Sequence, residues 1–296
     1  MSWTGVYAFP ECAEGARRLA DELGVPFHVA ELHRFPDGES LVRLPEPVRR
    51  PVLYRPLHRP NDKLVEILLA ASVLRRGGAE TLCLVAPYMP YMRQDAVFRP
   101  GEPVSQRVVG DLLAAAFDTV VVVEPHLHRT GDLAAVFPAA RAVAVSGAGP
   151  IRRHLEAGDT APDTLVVGPD EESEPLVAAI AGPLGLDWAV ARKERRGDRD
   201  VTVTLPDAPD PAGRPTLVVD DVISSGHTVL DCARALRARG AASVGVVAVH
   251  ALHDAAAEAA MRAAGIGAVA SCDGVPHASN RIPLASLIAE ALRDGA

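Results

Sequence analysis

Thr216-Leu217-Val218-Val219-Asp220-Asp221-Val222-Ile223-Ser224-Ser225-Gly226-His227-Thr228 is the stretch that decides the fold. Its apolar, β-branched start reads as a buried strand ending in two carboxylates, and a turn of small residues then leads into a helix beginning near Val229. Backbone amides of such a turn, together with the helix N-terminus, form a nest for an anion. Ser224, Ser225 and Thr228 add hydroxyl donors, and Asp220 and Asp221 at the strand's carboxyl end can accept hydrogen bonds from the 2- and 3-hydroxyls of a sugar. The combination suits a phosphorylated pentose better than free phosphate. The GxxxxGK[ST] phosphate loop is absent, and Gly147-Ala148-Gly149 lacks the third glycine of a dinucleotide fingerprint.

Outward from this stretch the same order repeats. Short β-branched runs predict strands at Val6–Phe9, Val52–Arg55, Leu82–Ala86, Thr119–Val123, Ala142–Val145, Leu165–Val167, Leu217–Asp221 and Val244–His250. Amphipathic stretches between them predict helices such as Asp62–Arg75, Ser105–Ala116, Glu174–Leu184, Val229–Arg239 and Asp254–Ala264. Asn61 stands where an N-cap belongs, Asp62 follows in the first turn, and Gly240 is placed as a C′ glycine. Strand-then-helix repetition predicts an α/β protein with mainly parallel sheets covered on both faces. Ser146-Gly147-Ala148-Gly149-Pro150 marks a boundary near the middle, predicting similar domains over residues 1–145 and 146–296, although no internal repeat stands out. Asp207–Arg214, rich in Asp and Pro, reads as an exposed loop between strands.

At 296 residues, 48% hydrophobic and 23% charged, the chain has the composition of a globular protein with a sizeable core. A formal charge of −8 argues against non-specific binding to nucleic acid or to an acidic membrane, but not against phosphate held by local basic loops. Cys12, Cys83, Cys232 and Cys272 lie far apart, without zinc spacing, and read as reduced, buried thiols. Met1–Gly5 has no basic leader, and no run approaches the roughly 18 apolar residues of a membrane span. A cytoplasmic protein is expected.

Several further clusters carry chemistry. Phe35-Pro36-Asp37-Gly38-Glu39 is a loop entering a strand and by itself a common turn. Arg93-Gln94-Asp95 follows the strand ending at Ala86, offering a phosphate or adenine contact and an anchoring carboxylate. Glu124-Pro125-His126-Leu127-His128 and Gly168-Pro169-Asp170 each follow a strand; alone they read as a polar turn and a helix cap. Arg192–Arg199 is the densest charge run and in isolation a solvated loop.

Taken with these clusters, Asp220–Thr228 resembles the phosphoribosyl pyrophosphate loop of type I phosphoribosyltransferases and of ribose-phosphate diphosphokinases. The first-half elements, with Asn61-Asp62, Leu64 and Glu66, resemble the diphosphokinases, and the likeness runs in family order from about Phe35 to His250. The resemblance implies two tandem type I phosphoribosyltransferase-like domains and an enzyme moving the β,γ-diphosphate of ATP to the C1 hydroxyl of ribose 5-phosphate with Mg²⁺. It implies an ATP site of Phe35, Asp37, Glu39, Arg93, Gln94 and Asp95, shared between subunits of a homo-oligomer. His126 and Asp170 become metal-site candidates, with His128 a neighbour. Lys193 and Arg195 match the lysine and arginine of a mobile loop that reaches the transferring phosphates. The resemblance implies that Ser224, Ser225, Gly226, His227 and Thr228 receive the 5-phosphate, and Asp220 and Asp221 the sugar diol.

The chain departs from the family pattern in places. Ser224 stands where a third acid is common, His227 replaces a glycine, Glu171-Glu172-Ser173 replaces glycines, and Ala96 replaces a basic residue. The Arg93–Ser105 region is closer to divergent, archaeal-like members. A phosphoribosyltransferase and a non-catalytic regulatory homologue are the alternative readings.

Overall fold

Parallel strands can be joined only by crossover connections, so short β-branched runs separated by amphipathic helices are committed to open sheets with helices alongside. The computed structural model describes residues 2–127, 129–158, 160–195, 201–204 and 209–294, without the side chains of 193–195 and 201–203. It forms two compact units: Met1–Val145 with Gly274–Pro276 and Leu284–Ala296, and Ser146–Asp273 with His277–Pro283.

In the first unit the order is β1 (Gly5–Ala8), α1 (Ala13–Leu23), β2 (Phe27–Val29), β3 (Glu31–Arg34), β4 (Ser40–Arg43), β5 (Pro51–Tyr54) and α2 (Pro60–Arg76). Then come β6 (Cys83–Val85), α3 (Ser105–Ala114), β7 (Thr119–Val123) and β8 (Arg141–Val145). Six strands make one parallel sheet in the order β2-β1-β5-β6-β7-β8, while β3 and β4 form a separate antiparallel hairpin. Val6, Leu53, Leu84 and Val121 are fully buried in it.

The second unit runs α4 (Ala148–Ala157), β9 (Leu165–Gly168), α5 (Glu174–Leu184), β10 (Trp188–Val190), β11 (Arg192–Arg195), β12 (Val201–Thr204) and β13 (Pro215–Ile223). It continues with α6 (His227–Ala238), β14 (Ser243–Ala251), α7 (Ala255–Ala263), β15 (Ile266–Cys272) and β16 (Asn280–Ile282). Its parallel sheet is ordered β10-β9-β13-β14-β15-β16, and β11 and β12 pair as an antiparallel hairpin. Counting sheet strands alone, both units have the order 2-1-3-4-5-6, each with a hairpin inserted between its second and third sheet strands. The repeat absent from the sequence is present in the topology.

The α/β class and parallel sheets are as expected; several local expectations change. Strand β13 does not stop at Asp221: Val222 and Ile223 still pair with His250 and Ala251 of β14, so the carboxylates lie inside the ladder. Helix α6 begins at His227, two residues early, because Gly226 takes the left-handed N-cap conformation (φ 78°) that starts the helix at once. Asn61 is not the N-cap of α2; Arg59 is, at φ 51°, and Pro60 fills the first turn, where no N–H is needed. The Ser146–Pro150 breaker contains the start of α4, since Pro150 sits in a first turn and is tolerated there. The last helix, α8 (Ala285–Asp294), read with the second half, packs on α1, β7 and β8 of the first unit. Gly240 closes α6 at φ 86°. No helix among the described residues is long and apolar enough to cross a membrane.

One close approach allows a direct check of packing in the first unit. A Cβ on Gly110 of α3 would lie 2.0 Å from the carbonyl oxygen of Val136, which is backbone and has little freedom to withdraw. Gly110→Ala is expected to cost about 2 kcal/mol through overpacking, despite alanine's better helix propensity. Urea unfolding should show a lower midpoint at unchanged slope; an unmoved midpoint would contradict this packing.

Candidate active site

Open parallel sheets bind ligands at the carboxyl ends of their strands, where strand order reverses. In the second unit the reversal falls between β9 and β13, and the predicted carboxylates gather there. Asp220 is buried and Asp221 half-buried in β13, and the Asp221 N–H donates to Asp220 Oδ1 at 3.0 Å. Burial pushes the Asp220 carboxyl well above the usual carboxylate range, and the neighbouring charges of Asp221 and Asp170 push it further. Asp170, which follows β9, therefore belongs to this cluster.

The end of β9 is tightly built. Asp170 accepts a 2.5 Å hydrogen bond from Ser173 Oγ on its carbonyl, and a Cβ on Gly168 would fall 2.2 Å from that hydroxyl. Only glycine lets β9 end so close to the turn carrying Asp170.

Beyond Ile223 the chain needs three residues, Ser224, Ser225 and Gly226, to enter α6. Ser224, Ser225 and His227 are exposed, Gly226 buried and Thr228 half-buried. Leu230 N–H donates to the Gly226 carbonyl at 2.9 Å, closing a turn at the start of the helix. Amides of a first helical turn have no acceptor within the helix, and the helix dipole adds positive potential there. His227 Nδ1 lies 2.8 Å from Ser225 Oγ, orienting that hydroxyl. Acidic strand and anion-seeking turn are thus adjacent, one suited to hydroxyls and the other to phosphate.

Lys193 and Arg195 lie on β11, in register with Val203 and Val201 of β12. Their side chains fall outside the described residues, as does His128.

In the first unit, Phe35, Asp37 and Glu39 occupy the tip of the β3–β4 hairpin, all exposed. Phe35 N–H donates to the Glu39 carbonyl (2.8 Å), Gly38 N–H to the Phe35 carbonyl (3.0 Å) and Glu39 N–H to Asp37 Oδ1 (3.1 Å). Gly38 has φ 95°, which explains the Asp-Gly pair in this turn. The Phe35 ring meets His33 edge-on at 4.6 Å.

Arg93 and Gln94 are exposed in the loop after β6, where Gln94 Oε1 accepts from Ser105 Oγ at 2.6 Å. The Asp95 side chain is only 1% exposed and ion-paired with Arg129 at 2.9 Å. It anchors the loop, and the Arg129 guanidinium lies 5.3 Å from the Phe98 ring centroid. Arg129 carried no signal in the sequence. His126 is half-buried after β7.

Backbone strain gathers in the same loops. Among the described residues, those other than glycine with positive φ are Arg59 (51°), Tyr91 (62°) and Glu124 (43°). They follow β5, β6 and β7 respectively. Such conformations cost on the order of 1–3 kcal/mol and concentrate at functional sites. Nothing in the identities of Arg59, Tyr91 or Glu124 announces them.

Known proteins resemble the chain over nearly its whole length. A family model described as the N-terminal domain of ribose phosphate pyrophosphokinase matches residues 5–116, and a phosphoribosyl transferase domain model matches residues 148–278. Ribose-phosphate pyrophosphokinase of Methanopyrus kandleri is 34% identical over 291 residues, 98% of either chain. Ribose-phosphate pyrophosphokinase 2 of Archaeoglobus fulgidus is 35% identical over 275 residues, 93% of this chain and 95% of that one. The crystal structure of phosphoribosylpyrophosphate synthetase from Mycobacterium smegmatis superposes with a TM-score of 0.83 at 26% identity, covering 100% of this chain and 99% of the other. Matched by both family models and by relatives at 34–35% identity over nearly its whole length, this chain belongs to the ribose-phosphate pyrophosphokinase family.

Proposed function

We propose that the chain transfers the β,γ-diphosphate of ATP to the C1 hydroxyl of ribose 5-phosphate, yielding phosphoribosyl pyrophosphate and AMP. The observation that carries this reading is the convergence of Asp170, Asp220 and Asp221 beside the hydroxyl-bearing N-terminus of α6. A sugar phosphate presents both partners this site asks for, a diol and a dianion.

Asp220 and Asp221 accept from the ribose hydroxyls, while the turn from Ser224 to Thr228 binds the 5-phosphate through backbone amides and hydroxyls. This fixes C1 in one orientation, and positioning accounts for much of phosphoryl-transfer catalysis. The C1 oxygen attacks the β-phosphorus and releases its proton to solvent, the bond between the α–β bridging oxygen and that phosphorus breaks, and AMP leaves. Phe35, Asp37, Glu39, Arg93 and Gln94, all exposed on the hairpin tip and the β6–α3 loop, bind ATP, with Asp95 holding that loop in place through Arg129. Lys193 and Arg195 neutralise charge that develops on the transferring group.

The residues present fit Mg²⁺. Two carboxylates that raise the proton affinity of a third make a place suited to a hard cation. The described residues include no group of three or more His, Cys, Asp or Glu able to hold a metal, and Mg²⁺ is usually held by one or two carboxylates plus substrate phosphates. Asp170 would hold it in the second unit, and His126 is the candidate in the first. A Mg²⁺ held there would supply charge neutralisation for the phosphates of the substrates.

A homo-oligomer with ATP bound between subunits is supported by exposed apolar pairs one helical turn apart, Val65 and Leu69 on α2 and Val108 and Leu112 on α3. Four buried cysteines, none of them in a disulfide, support residence in the reducing cytoplasm.

Purified protein given ATP, Mg²⁺ and ribose 5-phosphate should form AMP and phosphoribosyl pyrophosphate in equal amounts; AMP formation indifferent to ribose 5-phosphate would refute the reading. Lys193→Ala should lower kcat by roughly 10²–10³-fold while leaving ATP affinity within a few-fold, and unchanged turnover would remove Lys193 from the chemistry. Asp220→Asn should abolish turnover yet raise the melting temperature, because an amide cannot ionise where burial, Asp221 and Asp170 all oppose a further charge; a gain of about 1 kcal/mol is expected. A lower melting temperature would mean that Asp220 is there for structure.

A further inference from the structure

The described pairings assign no ligand to one buried charge cluster of the first unit, yet its hydrogen bonds lead to the nucleotide hairpin. Glu66 of α2 is fully buried, as is Arg55 just past β5. Arg55 Nη2 donates to Glu66 Oε2 at 2.5 Å and Arg55 Nε to Glu11 Oε1 at 3.0 Å, with the guanidinium lying 3.6 Å over the Phe9 ring. The other Glu66 oxygen, Oε1, faces outward along the cluster. It accepts from Arg34 Nε (3.2 Å), Arg34 Nη2 (3.0 Å) and Ser40 Oγ (3.0 Å).

Arg34 and Ser40 are not arbitrary partners. They are the last residue of β3 and the first of β4, and they face each other as the closing pair of the hairpin. The turn between them is Phe35 to Glu39. One buried oxygen therefore grips both stems of the turn, and Asp62, one helical turn before Glu66, adds a second hold on Arg34 at 3.4 Å. Burial pushes the Glu66 carboxyl up, but Arg55, Ser40 and Arg34 outweigh it and keep the group below the usual carboxylate range.

A two-stranded hairpin outside the main sheet has little stability of its own. Helix α2 touches β4 and β5, so Glu66 ties the hairpin to the element that follows the sheet's reversal point. We infer that Glu66, clamping the Arg34–Ser40 pair, is a positioning residue for the nucleotide, setting where Phe35, Asp37 and Glu39 are presented. The inference rests on the proposed ATP role of that turn.

Removing Glu66 would strand the Arg55 charge and endanger folding, so the test works from the hairpin side, with Ser40→Ala, Arg34→Ala and Ser40→Thr. Amide hydrogen exchange without ligand is the first readout. The alanine variants should speed exchange at Phe35, Gly38 and Glu39 by roughly tenfold, as loss of a charge-assisted bond implies, while β1 and β5 exchange as in the wild type. Steady-state kinetics is the second: KM for ATP should rise by about tenfold and KM for ribose 5-phosphate stay within about twofold. Ser40→Thr, which keeps the hydroxyl, should restore both. Unchanged exchange overturns the clamp. Faster exchange with an unmoved KM for ATP overturns its role in nucleotide positioning. A wild-type enzyme that forms no AMP overturns the function reading, and the positioning role with it, whereas exchange still decides whether Glu66 holds the hairpin.

Discussion

A parallel strand can be followed by another only if the chain returns to its starting edge, and everything distinctive here follows from that constraint. Each return leaves a loop at the carboxyl edge, so groups scattered over the sequence arrive at one rim. In the first unit this rim receives the Arg93–Asp95 loop and His126; in the second it receives Asp170, Asp220, Asp221 and the turn into α6. Because both units wind their strands in one order, they also insert a hairpin at one topological place. One hairpin presents Phe35, Asp37 and Glu39, and the other bears Lys193 and Arg195. The hairpin proposed to bind nucleotide and the one proposed to neutralise charge are topological counterparts of each other.

The two reversal points have been put to opposite uses. In the second unit the position gathers like charges, with Asp221 and Asp170 both raising the proton affinity of Asp220. In the first unit it holds opposite charges: Arg55 meets Glu66 and Glu11, and Lys63 lies 3.8 Å from Glu11. Buried ions are costly unless matched. The first unit matches them internally, pairing Arg55 with Glu66 and Glu11. The second concentrates one sign of charge, which fits a place where hydroxyls and cations enter from outside.

Much of this was legible in the sequence, for reasons that differ by residue. The central strands read directly: runs such as Val120–Val123 are apolar because neighbours cover both faces. The hairpins did not, since β3 and β4 lie outside the main sheet and carry mostly exposed, polar residues. β15, with Gly267, Ala268 and Ala270, lacks the β-branched density that marks a strand. The carboxylates of β13 hid the strand's length, because a charged pair inside a central ladder breaks the local rule that usually signals an end; such conflicts are expected where function overrides propensity. Candidate site residues with a chemical signature, Asp220 and the Ser224–Thr228 turn, could be proposed from the sequence. Residues acting through long-range pairing, Arg129 on Asp95 and Arg34 on Glu66, could not, since nothing in a one-dimensional chain brings position 34 to position 66.

Helix α8 is the last described element of the chain, yet it belongs to the unit that starts the chain. Trp3 Nε1 donates to the Leu292 carbonyl at 3.1 Å, Ser286 Oγ to Glu22 Oε1 at 2.7 Å, and Arg293 to the Glu22 carbonyl. During synthesis the first unit therefore waits, its α1 face uncovered, while the ribosome makes nearly all of the second. The first unit can be completed only when the last residues of the chain have been made.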